Sequence, residues 1–487
     1  MTSFASLTYL PFGPATAYTF GDGGVLNKTY DHAYRSTGVT STPLYLQLML
    51  DAVGNPISVK TSSGQLNPME SYKYDPLYRL QEVDDQTGAA WQSYTYDKTG
   101  DRLTKTTAGQ VPIQTYAYQA GTHRLVGITG SDASSRSMDA NGNTTALQVG
   151  STMYGLGFDD RNRYTLVQKN GTNTVAYHYN GMGERVFKGT GLGNPPTTAF
   201  YYDGAGRLLA DGSHDYVWAD DTLVATWDSG TVNYVYTDGL NTPRAIVGTT
   251  TGGPGTYTFG SGTSSVIWTW PYTKNPFGEQ IAGNRFGYQF NLRFPGQYFD
   301  QESGLIYNLR RDYYPSDGRY IESDPNGLGG GINTYAYVEN APLNNFDPLG
   351  LCACPGGTWN EDKFDFGISI AFGGMFAVNK ANFRCVSNPN VSVYVRQTSI
   401  AGGIMAGVGA GWSLVGEVFD VYDSNDFEGW STNQCFGSGF IFGGSATCGR
   451  PGGGSIGVGP GVGGGLAWGS TYTHILRDTC KKDCGLQ

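Results

Sequence analysis

A short aromatic phrase recurs along the first half of the chain. The three clearest copies are YKYDPLYRLQEV at 72–83, YTYDKTGDRLTKT at 94–106 and YAYQAGTHRLVGI at 116–128. Their second tyrosines, Tyr74, Tyr96 and Tyr118, follow one another at intervals of 22 residues. A fixed period of this length indicates an array of one small supersecondary unit, and such units bury their apolar faces only by stacking on their neighbours. This constraint excludes most single-core globular folds.

Each copy has the same internal order. Aromatic-x-aromatic is followed by Asp-x-x-Gly or a similar turn, and then by Arg-Leu and an alternating stretch. This order predicts a strand, a tight turn and a second strand, with one tyrosine of each phrase on each face of the sheet. Looser copies follow at 177–186, 200–212 and 234–246. We therefore predict an all-β fold in which successive hairpins form one continuous sheet.

Charge and glycine content exclude several classes of protein. The chain has 31 Lys and Arg against 41 Asp and Glu, so a repeat surface that binds nucleic acid or anionic lipid is not expected. Glycine is abundant, at 73 of 487 residues, which is untypical of a helical enzyme. Residues 1–20 lack a charged start and an uninterrupted apolar core, so we expect no cleavable signal peptide and export by another route.

Cysteine marks a boundary. All seven cysteines follow Leu351, at Cys352, Cys354, Cys385, Cys435, Cys448, Cys480 and Cys484. The sequence therefore predicts three regions, with repeats at 1–265, a dense block at 266–351 and a separate C-terminal domain at 352–487. Cysteine at this density is typical of a domain that is finally located in an oxidising compartment. We expect about three disulfides, whose pairing the sequence leaves open.

The repeats resemble the YD repeat of bacterial RHS proteins and their teneurin and toxin-complex relatives. NLRFPGQYFDQESGLIYN at 291–308, with LRRDYYPSDGRYIESDPNGLGGGINTYAYVENAPLNNFDPLGL at 309–351, is similar to the RHS repeat-associated core domain. The resemblance implies a spiralling β-sheet that wraps into a hollow shell, with the core block closing one end. It also implies a variable C-terminal domain, often a toxin held in the shell, which the core severs as an aspartyl self-protease.

Two aspartates of the core block are the candidate catalytic residues. Asp324 in IESDPNGL and Asp347 in NFDPLGL would not both ionise easily if the fold brings them together. One would stay protonated while the other activates water, as in a carboxylate dyad. The carbonyl of Leu351 lies four residues beyond Asp347, so cleavage between Leu351 and Cys352 would be intramolecular and would not turn over.

Arg311 completes the predicted site. It aligns with an arginine that self-cleaving family members place near the dyad, where it would hold a carboxylate or stabilise oxyanion charge. The sequence departs from the usual family phrase, with Asp312 and Tyr314 where a tyrosine and an aspartate are typical. The alternative for Asp324 and Asp347 is a role in turns only, because both precede proline.

The C-terminal domain is predicted as glycine-rich, cysteine-containing β-structure. The uncharged run 397–416 has the length of a membrane span, but glycine this dense disfavours a helix, so membrane contact is the weaker alternative. His474, Cys480 and Cys484 match no metal-site spacing that we recognise, and we predict no metal and no cofactor. The sequence does not indicate the target of this domain.

The shell is expected to be partial. A compact tail would need on the order of 5,000 Å² of surrounding sheet, whereas residues 1–351 supply roughly 3,300 Å² at about 16 Å² per strand residue. The chain would then be the C-terminal piece of a longer or split RHS protein that an additional shell chain completes, a displaced toxin cassette, or an open half-shell.

Together these features predict a fragment of an RHS-type polymorphic toxin that presents an effector and releases it after Leu351. The expected partners are a cognate immunity protein and a component of a secretion system, with type VI-like export to the cell surface or the medium. The alternative is an uncleaved surface protein whose repeats adhere to cells or bind glycans.

Overall fold

A computed structural model describes residues 4–11, 13–190, 196–249, 256–259 and 262–351 of the chain. Beyond these it describes the shorter stretches 353–355, 359–371, 374–385, 392–398, 410–415, 457–462 and 472–473. Within these ranges the regular structure is β-strand apart from two 3₁₀ turns, Gly327–Gly330 and Val338–Asn340. The all-β prediction is confirmed. No helix in the same ranges has the length and apolar character needed to cross a membrane.

The repeats form one antiparallel sheet of nineteen strands, in which each strand pairs with the next along the chain. The strands are β1 Phe4–Tyr9, β2 Ala15–Phe20, β3 Val25–Tyr30, β4 Ser36–Thr40, β5 Tyr45–Leu50, β6 Pro56–Lys60, β7 Glu70–Tyr74, β8 Leu80–Asp85, β9 Ala90–Tyr96, β10 Arg102–Thr107, β11 Gln114–Tyr118, β12 Leu125–Thr129, β13 Ser134–Met138, β14 Thr144–Val149, β15 Thr152–Phe158, β16 Tyr164–Lys169, β17 Thr172–Tyr179, β18 Arg185–Gly189 and β19 Pro196–Ala199. The pairings of the described residues do not close this sheet into a barrel, so the prediction of an open, partial shell is confirmed.

Three smaller sheets complete the first part of the chain. The second sheet contains β20 Tyr201–Tyr202, β21 Leu208–Ala210, β22 Asp215–Ala219, β23 Thr222–Asp228, β24 Thr231–Thr237, β25 Pro243–Thr249, β26 Thr256–Phe259, β27 Gly262–Thr269 and β28 Gly283–Asn284. The core block contributes β29 Tyr298–Asp300, β30 Leu305–Asn308, β31 Arg311–Tyr314 and β32 Arg319–Tyr320, and a two-stranded pair of β33 Asn345–Phe346 with β34 Cys354–Pro355.

Contacts divide the chain into two compact units, Met1–Thr358 and Trp359–Gln487. In the second unit six strands form one sheet, which confirms a β-rich C-terminal domain. They are β35 Trp359–Ala371, β36 Gly374–Cys385, β37 Ser392–Thr398, β38 Ala410–Val415, β39 Gly457–Val462 and β40 Tyr472–Thr473. Most of the run 397–416, His474 and Cys352 lie outside the described residues, as do the cysteines at 435, 448, 480 and 484.

The repeat phrase works by joining neighbouring hairpins. The hydroxyl of the second tyrosine in each copy donates to a carbonyl on the preceding strand. The three bonds are Tyr74 to Pro56 at 2.8 Å, Tyr96 to Leu80 at 2.8 Å and Tyr118 to Arg102 at 2.9 Å. This donor explains why the phrase keeps tyrosine rather than phenylalanine at this position.

The prediction that the two tyrosines of a phrase lie on opposite faces is wrong. The Tyr94 and Tyr96 rings stack with centroids 6.4 Å apart. Residues two apart on a strand point to the same face, and the aromatic-x-aromatic spacing therefore lines one face with both rings. The first tyrosine of each pair is buried, as at Tyr72 and Tyr116.

That aromatic face packs against the second sheet and the core block. The Phe20 ring meets the Tyr236 ring with centroids 4.7 Å apart, and one buried cluster combines strands β2 to β9 with β23 to β25. A second cluster joins β14 to β17 to Leu305 and Ile321 of the core block. Burial of apolar surface between sheet and block, at about 25 cal/mol per Å², is the main force that holds the sheet curled around them.

The core block also lies across hairpin turns at the strand ends of the repeat sheet. Asn340 donates to the Gly100 carbonyl at 3.0 Å, Tyr335 to the Gly142 carbonyl at 2.9 Å and Arg310 to the Met182 carbonyl at 2.6 Å. Because these turns close the β9–β10, β13–β14 and β17–β18 hairpins, the block is fixed at several points along the sheet. The candidate site is built inside this fixed block.

Candidate active site

The three predicted site residues come from three separate segments and meet. Arg311 begins β31, Asp324 follows β32 and Asp347 follows β33. The Nη2 atom of Arg311 lies 2.9 Å from Asp324 Oδ2 and 3.2 Å from Asp347 Oδ2. All three residues are buried, at 3%, 5% and 1% exposure. One guanidinium group therefore contacts two carboxyl groups that water hardly reaches.

The remaining nitrogens of Arg311 bind backbone. Nε donates to the Gly350 carbonyl at 2.6 Å, and Nη1 donates to the Thr334 carbonyl at 3.1 Å. The guanidinium also lies over the Tyr320 ring, 3.7 Å from its centroid. A planar fork with donors in fixed directions suits this set of partners, which a lysine ammonium would not match. Arg311 thus connects both carboxyl groups to the turn that carries the predicted cleavage site.

Asp347 is surrounded by donors. Its Oδ2 accepts from the Tyr320 hydroxyl at 2.7 Å, and its Oδ1 accepts from the backbone N–H groups of Leu351 at 3.0 Å and Leu349 at 3.4 Å. The turn role and the site role that the sequence left as alternatives are therefore combined in one side chain.

Asp324 has a different environment. Its Oδ1 accepts from the Asn326 N–H at 2.8 Å, whereas Oδ2 has no hydrogen-bond partner within the described residues and contacts Arg311 as an ion pair only. Burial raises the pKa of Asp324 to about 6, against the opposing effects of Arg311 and the Asn326 N–H, and the charge of Asp347 raises it further. Asp324 is the carboxyl group that holds a proton more readily than an ordinary aspartate does.

The Leu351 carbonyl faces Asp324. A Cβ atom built on Gly330 would clash with Asp324 Oδ2 and would lie 2.6 Å from the Leu351 carbonyl oxygen. Both oxygens therefore border the same small space, which exists because residue 330 has no side chain. Cys352, the other half of the predicted cleavage site, lies outside the described residues. Asn345 and Phe346 pair with Pro355 and Cys354, so the intervening residues form a loop with paired ends.

Sequence reasoning missed the supporting residues of the site. Asn308 donates to the Tyr320 hydroxyl at 2.8 Å and to the Asp347 carbonyl at 2.9 Å. Gly350 adopts φ 69°, and a Cβ there would collide with the Asn308 carbonyl. Tyr320 is one of 34 tyrosines and no local signal separates it from the others. Only the glycine of the DPLGL phrase offered a signal, because a left-handed turn position favours glycine.

A second carboxyl pair lies next to this site. Asp312, where the sequence departs from the family phrase, donates its N–H to Glu322 Oε2 at 2.9 Å, and both side chains are buried. Burial raises the pKa of Asp312 to about 7 and that of Glu322 well above its ordinary value. Arg185, which is paired with Asp300 at 2.5 Å, lowers the pKa of Asp312, whereas the charge of Asp300 raises it. The pair therefore favours holding a proton.

No cluster of three or more His, Cys, Asp or Glu side chains suited to a metal occurs in the ranges that the structure describes. The predicted absence of a metal stays a prediction, because His474, Cys480 and Cys484 lie outside those ranges.

No family model matches the chain. Among curated proteins, it is 60% identical over 60 residues to "Toxin protein Tse5" of Pseudomonas aeruginosa, covering 12% of this chain and 5% of that protein. It is 38% identical over 141 residues to "Probable deoxyribonuclease RhsA" of Dickeya dadantii, covering 26% and 9%. It is 27% identical over 291 residues to "tRNA3(Ser)-specific nuclease WapA" of Bacillus spizizenii, covering 57% and 12%. The chain spans only 5% to 12% of the length of these relatives.

Among solved structures, the chain resembles a crystal structure of TcdB2-TccC3 without its hypervariable C-terminal region. The TM-score is 0.54 at 20% identity, covering 72% of this chain and 19% of that one. This likeness concerns the fold, which is a large sheet of repeated hairpins.

Proposed function

Because the chain belongs to the RHS/YD-repeat family, we propose that it is part of an RHS-type toxin whose core releases residues 352–487 as an effector by cutting after Leu351. The names of the relatives, a toxin and two nucleases, support an effector role. The repeat sheet and core block hold the effector segment, and the core acts once, on its own chain.

One observation carries the proposal of self-cleavage. The carbonyl oxygen of Leu351 and the Asp324 carboxyl border the same space at Gly330, while Asp347 holds the N–H of Leu351 at 3.0 Å. The bond to be cut is thus fixed next to a carboxyl group before any reaction starts. Fixing reacting groups in this way contributes up to about 7 to 11 kcal/mol to lowering a barrier.

The two carboxyl groups have separate roles in this mechanism. Protonated Asp324 donates to the Leu351 carbonyl oxygen as water attacks the carbonyl carbon. Asp347 accepts the proton of that water through Oδ1, whose contact with the Leu349 N–H is long at 3.4 Å. The tetrahedral intermediate then breaks the C–N bond: Asp347 gives the proton taken from water to the leaving amine of Cys352, and the proton on the former carbonyl oxygen returns to Asp324. Leu351 keeps the new carboxyl group, which releases its remaining proton to solvent.

Intact mass spectrometry of the purified full chain tests the proposal. Wild type should give a fragment that begins at Cys352, and the Asp324→Asn and Asp347→Asn variants should stay whole. Asp238→Asn is the matched control, because Asp238 is also a buried turn aspartate bound to an arginine, Arg244, at 2.8 Å. The control should be cut like wild type. A wild-type chain that stays whole contradicts self-cleavage and favours the uncleaved adhesion or glycan-binding alternative.

Partners and location follow from the same family membership. We infer that the chain acts after delivery out of the producing cell, since the relatives include a named toxin. A delivery component, an immunity protein that binds the effector, and a further shell chain are the partners we propose. Co-purification from the native host, followed by mass spectrometry of the bound proteins, tests each of them.

A further inference from the structure

The phenol of Tyr320 lies between Asn308 and Asp347 in the middle of the core block. Its oxygen is 2.8 Å from Asn308 Nδ2 and 2.7 Å from Asp347 Oδ2, and the residue is 1% exposed. Water therefore has little access to this hydroxyl, and its partners are the two side chains on either side of it.

The direction of these two bonds is determined by the chemistry of the partners. The Asn308 Nδ2 group only donates, so the phenol oxygen accepts there. The single O–H proton is then left for Asp347, which accepts it. Burial, followed by the charge of Asp347, raises the pKa of Tyr320 well above its ordinary value, so the phenol keeps its proton.

The ring of Tyr320 serves a second contact. Arg311 stacks on its face, while the Tyr313 and Tyr337 rings pack around it with centroids 5.8 and 5.9 Å away. Replacing Tyr320 by phenylalanine keeps the ring under Arg311 and removes only the hydroxyl. The two contributions of the residue can therefore be separated by one substitution.

We propose that Tyr320 is a positioning residue of the self-cleavage site, whose hydroxyl, oriented by Asn308, donates to Asp347 and so leaves the catalytic proton on Asp324. This inference rests on the proposed function. It explains how two aspartates that share one arginine divide into an acid and a base. Asp347 receives a hydroxyl donor from Tyr320, whereas Asp324 Oδ2 has no hydrogen-bond partner within the described residues.

The groups that face the two carboxyls define the expected pH dependence. Asp347 faces Arg311, Tyr320 and Tyr337, while Asp324 faces Arg311 and Asp347. The Tyr320 hydroxyl donates to Asp347 alone, so its loss should move the low-pH limit of self-cleavage upward. The high-pH limit, at which Asp324 loses its proton, should stay near pH 6.

The test is the pH profile of self-cleavage in full-length wild type, Tyr320→Phe and Tyr313→Phe. Tyr313 is the matched control, since it is buried in the same aromatic cluster but donates to the Phe277 carbonyl, 2.7 Å away. We expect the low-pH limit of Tyr320→Phe to rise by about one pH unit, the size expected for one hydrogen bond to a charged group. The Tyr313→Phe profile should overlie wild type. A Tyr320→Phe rate that is unchanged, or lowered equally at every pH, overturns the inference.

A second measurement keeps this inference separate from self-cleavage itself. In the uncleaved Asp324→Asn background, thermal unfolding of the full chain is compared with and without Tyr320→Phe across about pH 3 to 8. The destabilisation caused by Tyr320→Phe should grow with pH, because the lost bond is to a carboxyl group, whereas that of Tyr313→Phe should be constant. If wild type is never cut, the proposed function fails, and this measurement still decides whether Tyr320 holds the carboxylate. A loss that is independent of pH overturns the inference.

Discussion

The repeat turns and the turn at Asp347, where we propose cleavage, share their local aspartate contacts and differ in their distant partners. In the repeat at Asp75, Oδ1 accepts from the N–H groups two and four positions later, and Oδ2 binds Arg79 at 2.6 Å. In the core, Asp347 Oδ1 accepts from the same two positions, the second being Leu351. The DPLGL phrase is thus folded as a repeat turn.

The arginine makes the difference. Arg79 sits four positions after Asp75, and its carbonyl accepts the Asp75 N–H at 3.0 Å, which closes the turn on itself. Asp347 is instead neutralised by Arg311, 36 positions earlier, and the Leu351 carbonyl faces Asp324 across Gly330. Where the aspartate of a turn pairs with an arginine of the same turn, as at Asp75, the turn is structural. Where the arginine comes from a distant segment, as at Asp347, it also brings a second carboxyl group next to the backbone of the turn.

The largest expected effect comes from closing the space at Gly330. Gly330→Ala should abolish self-cleavage, by at least about 100-fold, because a methyl group there displaces Asp324 from the Leu351 carbonyl. The control is Gly329→Ala, whose Cβ would meet Asn326 at an ordinary 3.7 Å. Cleavage is followed by intact mass over time, with circular dichroism to verify folding. Equal cleavage of both variants would show that the space is not used.

Arginine replacement compares the two turns directly. Arg311→Lys should destabilise the chain by about 3 kcal/mol and slow cleavage, since it leaves two buried carboxyl groups and two carbonyls poorly paired. Arg79→Lys in the repeat should cost about 1 kcal/mol or less, because that pair lies nearer the surface. Chemical denaturation of both variants measures the free energy of unfolding. Similar losses would remove the distinction between local and distant neutralisation.

The two regions should also respond to pH in opposite directions. Asp312 and Glu322 have pKa values raised by burial, to about 7 for Asp312, so the folded core binds more protons than the unfolded chain. Their contribution to stability is therefore full below about pH 4 and is lost as pH rises to 7, by up to about 1.4 kcal/mol per pH unit for one proton. Burial also raises the pKa of Asp159 in a repeat turn, but its hydrogen bonds to Arg163 more than offset this and leave that pKa lowered.

Because the Asp159 pKa is lowered, its contribution to stability is present above about pH 4 and is lost as pH falls. Unfolding of wild type and of an Asp312→Asn, Glu322→Gln double variant at pH 5 and pH 8 isolates the contribution of the core pair, because the Asp159 contribution changes only below about pH 4. The double variant should lose the decrease in stability toward high pH. A decrease of the same size in both proteins would contradict the inference that Asp312 and Glu322 hold a proton in the folded chain.

The smallest effect is expected from one repeat hydroxyl. Tyr96→Phe should lower the free energy of unfolding by about 1 kcal/mol, through loss of the bond to the Leu80 carbonyl. Tyr201→Phe, at an exposed position, should change it by less than about 0.5 kcal/mol. Denaturant titration distinguishes the two, and an equal effect would mean that the tyrosine bond does not hold hairpins together.

The all-β fold and the hairpin period follow from local patterns in the sequence. The reason is that an Asx turn, an arginine four positions later and a two-residue alternation are local interactions, complete within about ten residues. The resemblance of the sequence to a family also predicted Arg311, Asp324 and Asp347 as site residues. The prediction about the paired tyrosines misapplied this alternation, because residues two apart on a strand lie on the same face.

The assembly of the site depends on long-range packing. That Leu351 faces Asp324, that Gly330 leaves room between them and that Tyr320 donates to Asp347 depend on segments far apart in sequence packing into one buried block. Such contacts arise from the burial of many residues at once, and no short pattern records them. The same turn therefore closes on itself in the repeats, and in the core it presents a peptide bond to a second carboxyl group.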